Sequence, residues 1–172
     1  KYTSIEAMDT DEVKEAVKEA IERSIDLKQW HALMHIAGFK AEEGREKDWI
    51  DNNFGFAGDG TMHTFRELDL SSCTELTVLP EKLTAEKHLI LNGCKSLTAL
   101  PENLKVRENL YLNDCTGLTS LPESLEVDHA LYLERCTGLT SLPEKLKVGG
   151  ALILSGCTGI TTLPEGLNVN WG

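Results

Sequence analysis

All five cysteines of this chain, Cys73, Cys94, Cys115, Cys136 and Cys157, lie 21 residues apart, and so do all five prolines, Pro80, Pro101, Pro122, Pro143 and Pro164. A period in the range of 20 to 50 residues marks a stack of like units, each too small to bury its own apolar face. One unit runs Glu108-Asn109-Leu110-Tyr111-Leu112-Asn113-Asp114-Cys115-Thr116-Gly117-Leu118-Thr119-Ser120-Leu121-Pro122-Glu123. The pattern Leu-x-Leu-x-x-Cys-x-x-Leu-x-x-Leu-Pro occurs five times, with Ile160 the single substitution in a leucine column.

The spacing dictates a coil. Leu110 and Leu112 alternate with period two, so both face one side of a short strand. Asn113-Asp114 ends the strand and the small Cys115 turns inward. Leu118, Leu121, Leu125 and Val127 fill the rest of the interior. Pro122 lacks an N–H and fixes φ, which suits the irregular back of a coil. Stacked coils then place their strands about 4.8 Å apart in one parallel sheet.

This pattern resembles the leucine-rich-repeat family, with its Leu-x-x-Leu-x-Leu-x-x-Asn/Cys-x-Leu unit, over roughly Phe65 to Trp171. The short Leu-Pro-Glu unit is most similar to bacterial members. The resemblance implies an α/β-type solenoid: a right-handed leucine-rich-repeat superhelix with a short-stranded parallel sheet, capped by an N-terminal helical segment. The expected organisation is a helical cap over 1–64 and five 21-residue repeats over 65–172. Amphipathic spacing places helices at Asp9 to Ser24, Leu27 to Ala37 and Ala41 to Asp51, with Trp30, Trp49, Phe39, Phe54 and Phe56 available to cover the first coil. The glycine-rich stretch Asn52 to Met62 reads as a loop. At the other end Gly172 stands one residue before the next strand leucine would fall, and the expectation is that either Leu167 to Trp171 caps the stack by itself or the natural protein continues. Self-association through that open edge is one expectation.

The cysteines invite a metal or redox reading, but an odd number spaced 21 apart matches neither a disulfide set nor zinc-ligand spacing. A buried column of thiols, each near a turn carbonyl, is expected instead, and with it a reducing compartment such as a cytoplasm or a host cytosol. Other chemistry is missing from the residues. His31 and His35 share a helical face, yet Ala32 occupies the place of the glutamate in a zinc-protease motif. The acidic loop Asp51 to Asp59 fails the calcium-loop register. No nucleophile–base–orienter set can be assembled. We therefore expect no enzyme, no cofactor and no metal. The formal net charge of −11 disfavours nucleic acid and anionic membrane surfaces.

What remains is a surface. The residues between the two strand leucines read Asp69, Ile90, Tyr111, Tyr132, Ile153, and should point outward from the sheet. The next outward column includes Asn92, Asn113 and Glu134, with Arg135 beside it. Tyrosine and isoleucine with a polar rim suit the centre of an interface. They equally suit a cross-strand ladder that stabilises the sheet. These residues are the candidate site of a protein–protein interaction module. The resemblance also implies an alternative, the substrate-targeting part of a larger bacterial effector or ubiquitin ligase whose catalytic domain lies elsewhere. A second exposed column, Glu81, Glu102, Glu123, Glu144 and Glu165, is expected to keep the back of the solenoid soluble, with Lys82, Lys145 and Lys147 diluting its charge.

Overall fold

The computed structural model describes residues 54–57, 61–74, 76–79 and 81–171. Among the described residues eleven short strands succeed one another: β1 (Phe54–Phe56), β2 (Met62–Thr64), β3 (Leu68–Asp69), β4 (Leu83–Ala85), β5 (Leu89–Ile90), β6 (Lys105–Val106), β7 (Leu110–Tyr111), β8 (Glu126–Val127), β9 (Leu131–Tyr132), β10 (Lys147–Ile153) and β11 (Asn168–Trp171). They form a parallel β-solenoid with coils of about 21 residues. Each regular coil contributes two strands, one to each of two parallel ladders. The first ladder runs β3-β5-β7-β9-β10 and the second β2-β4-β6-β8-β10-β11. The seven-residue β10 belongs to both, pairing with β8 at Lys147–Val148 and with β9 at Leu152–Ile153, and its register on β11 is irregular between Val148 and Ala151.

This corrects the expected α/β-type class. No helix occurs among the described residues, and a second parallel ladder occupies the back of the coil. The reason is length and pattern. Between Pro101 and Leu110 only eight residues remain, too few for a stable helix and its connections. Within them Leu104 and Val106 alternate inward, and the turn that starts them is closed by the Leu104 N–H donating to the Pro101 carbonyl at 3.1 Å. Lys105 points outward, where its Nζ lies 3.1 Å from Glu126 of the next coil.

The helical cap is corrected at its C-terminal end as well. Phe54–Phe56 and Met62–Thr64 pair antiparallel, and β2 continues the second ladder onto β4. The ring of Phe65 lies over Gly55 so closely that a Cβ there would overlap it. The helices expected at Asp9 to Ser24, Leu27 to Ala37 and Ala41 to Asp51 lie outside the described residues.

One continuous core runs along the stack. Leu89, Leu91, Leu97, Leu104, Leu110, Leu112, Leu118, Leu125, Leu131, Leu133 and Leu139 are wholly buried, with Val106 and Val127 between them. Each such side chain contributes about 1.5–3 kcal/mol by leaving water.

The thiols form the expected column. All five cysteines are free and buried. The Sγ–H of Cys94 donates to Leu70 O at 3.2 Å, that of Cys115 to Leu91 O at 3.1 Å, that of Cys136 to Leu112 O at 3.0 Å and that of Cys157 to Leu133 O at 2.8 Å. Each bond crosses from one coil to the coil before it. The Leu112 carbonyl also accepts the N–H of Cys115 at 3.2 Å, so one oxygen closes the turn of its own coil and anchors the thiol of the next. An apolar residue in this column would leave it without the inter-coil donor.

The turn has a backbone signature too. Ser72, Gly93, Asp114, Arg135 and Gly156 all have positive φ, between 57° and 79°. Glycine accepts this left-handed conformation freely, and aspartate tolerates it through local hydrogen bonding. Arg135 is the costly member. Its guanidinium binds Asp114 through both Nε and Nη2, each at 2.7 Å, an interaction across coils that offsets part of the strain.

Candidate interaction face

The first ladder aligns the residues between the strand leucines in register. Asp69 pairs with Ile90, Ile90 with Tyr111, Tyr111 with Tyr132, and Tyr132 with Ile153. The strand leucines on either side point inward and are buried at β5, β7 and β9, so this column faces out. Asp69 is exposed and the other four are half-buried. The result is an apolar stripe four strands wide.

Within it, the rings of Tyr111 and Tyr132 stack with centroids 4.6 Å apart and planes 9° from parallel. His88 approaches Tyr111 edge-on at 5.9 Å and 83°. The Asn109 amide donates from Nδ2 to the Tyr111 hydroxyl at 3.0 Å, while its Oδ1 accepts the Ala130 N–H at 2.9 Å. One face of each tyrosine ring is therefore closed off by its neighbour. The stacked pair forms the expected cross-strand ladder on the outward side of the strands.

The flanking polar residues divide by what their atoms already do. Asn92 Oδ1 accepts the Asn113 N–H at 2.9 Å, and Asn113 Oδ1 accepts the Glu134 N–H at 2.8 Å. These asparagines hold successive strand ends together through their side-chain carbonyls. Asp69 Oδ1 accepts from the backbone N–H and the hydroxyl of Ser71, at 2.9 and 2.6 Å. Arg135 is exposed but committed to Asp114, whose carboxyl it holds below the usual carboxylate range. Glu134 alone of the second column presents a carboxylate without an ion pair.

Sequence reasoning missed the ties between coils on the bend separating the two ladders. Lys87 Nζ binds Glu108 at 2.8 Å, Arg107 binds Asp128 at 3.3 Å, and Glu126 is gripped from both sides by Lys105 at 3.1 Å and Lys147 at 2.7 Å. The signal existed, since opposite charges recur 21 residues apart. Lys147 thus serves Glu126 rather than the column of Glu81, Glu102, Glu123, Glu144 and Glu165, all of which are exposed.

Among the described residues no group of three His, Cys, Asp or Glu side chains could hold a metal ion. Burial pushes the thiols of Cys94, Cys115 and Cys136 up to about 12, far from the range of a reactive thiolate. His31, His35 and most of the acidic loop Asp51 to Asp59 lie outside the described residues. No helix of the described residues is long and apolar enough to cross a membrane. No family model, no curated protein and no solved structure matches the chain.

Proposed function

We propose that this chain is a leucine-rich-repeat binding module, without catalytic activity, that captures another protein on the outer face of the β3-β5-β7-β9-β10 ladder. One observation carries the reading: Ile90, Tyr111, Tyr132 and Ile153 make a contiguous, solvent-facing apolar stripe on a scaffold fixed by hydrogen bonds on both sides. A rigid, pre-ordered apolar patch with a polar rim loses little entropy on binding and is suited to recognition. The buried free thiols support a reducing compartment as the place where it acts.

The test is the double variant Tyr111→Ala/Tyr132→Ala. Stacked aromatic pairs contribute about 0.5–1.5 kcal/mol beyond burial, so the variant should stay folded by circular dichroism. Affinity capture of partner proteins from cell extract should be lost. Capture of the same proteins at the same yield by the folded variant would remove the face from consideration.

A further inference from the structure

We infer that the segment this face takes is basic: a stretch of protein carrying lysine or arginine among apolar residues. The inference rests on the reading of the face as a protein-binding surface and specifies what it binds. The outward positions of the five strands run from 67, 69 and 71 in the first coil to 151, 153 and 155 in the last, and they contain no lysine or arginine. They do contain Glu67, Asp69 and Glu134, and among the described residues no ion pair engages any of the three. Glu67 and Asp69 are exposed at one end of the apolar stripe, and half-buried Glu134 lies beside Tyr132 near the other.

Arg66 lies exposed beside Glu67, but three other cations bordering the face are each held by a carboxylate outside its outward positions. Lys87 is held by Glu108 at 2.8 Å, Arg107 by Asp128 at 3.3 Å and Arg135 by Asp114 at 2.7 Å. The tyrosines cannot receive a cation on the ring faces that stack 4.6 Å apart, and ring edges carry the positive end of the quadrupole. Recognition of positive charge therefore falls to the carboxylates. A lysine or arginine side chain fits that division, with an apolar stem to lie on the Ile90–Ile153 stripe and a charged head to reach a carboxylate at its margin. Phosphate backbones and anionic lipid surfaces are repelled by the same three groups.

The experiment uses the full chain and three labelled octapeptides that alternate valine with lysine, glutamine or glutamate, read by fluorescence anisotropy at low and high salt. The lysine peptide should bind best, and more weakly as salt rises. Replacing Glu67→Gln, Asp69→Asn and Glu134→Gln together should weaken it by about tenfold at low salt, as expected for several rim ion pairs acting together. Asp69→Asn keeps the acceptor that Ser71 needs, so the turn survives. Tyr111→Ala/Tyr132→Ala should weaken it as well, while Glu102→Gln/Glu123→Gln/Glu144→Gln on the back should not. The inference is overturned if the lysine peptide fails to bind, if the triple neutralisation leaves its affinity unchanged, or if neutralising the back column is what weakens it. Should the glutamine peptide bind equally well and depend on the tyrosines, the basic character is wrong while the face itself stands.

Discussion

Leu142→Ala should lower the unfolding free energy by about 2–4 kcal/mol, whereas Leu163→Ala, the same change one coil later, should cost less than about 1 kcal/mol. The two leucines occupy one position of the repeat. Leu142 is 6% exposed, sealed by coils on either side, and its truncation leaves a cavity that the flanking backbone ladders keep from collapsing. Leu163 is 58% exposed, so removing its side chain takes little apolar area out of a dry environment. Guanidinium unfolding followed by circular dichroism measures both losses. Equal losses would mean that neighbours along the stack do not supply the burial.

Gly138→Val should be at least as damaging, costing about 3 kcal/mol, because its side chain would grow into backbone. A Cβ at Gly138 would overlap the Thr116 carbonyl oxygen and stand 3.0 Å from that of Leu118. Neither atom belongs to a side chain that can swing away. Both are fixed in the preceding coil, and relief requires prising two coils apart. Gly117 meets the Lys95 carbonyl in the same way, so the close approach recurs along the stack. Gly166→Ala is the control. Its nearest atom would be Glu144 O at an ordinary 3.5 Å, and the same place in earlier coils holds Asn103, Ser124 and Lys145, so it should change stability by less than about 0.5 kcal/mol. Thermal melts of the two variants decide the matter, and equal melting temperatures would contradict the packing.

Much of this architecture could be read from the residues, since the repeat reports burial directly. Leu-x-Leu before each cysteine marks the first ladder, and the 21-residue column of Asp69, Ile90, Tyr111, Tyr132 and Ile153 marks its outer face. The second ladder was harder to see. Lys105–Val106 and Glu126–Val127 are two-residue strands with a charged member each, too short for an alternation to stand out. They become strands because neighbouring coils offer them partners, a tertiary effect that local propensity does not encode. The same holds for Phe54–Phe56 and Met62–Thr64, where glycine-rich sequence suggests a loop and the sheet edge recruits a hairpin. The left-handed turn residue was legible at Gly93 and Gly156 but hidden at Arg135, whose identity gives no hint of positive φ. The ion pairs across coils, such as Arg107 with Asp128, make sense only once the register is known.

Thiol labelling of the native protein tests the stacked-coil account most directly. Cys94, Cys115 and Cys136 have no exposed surface, donate to carbonyls of the preceding coil and ionise only near 12. With Ellman's reagent at neutral pH, these three should stay unmodified over hours in the folded chain and react at once in concentrated guanidinium. Rapid stoichiometric modification of the folded protein at these three positions would show that the coils do not close over their sulfur column.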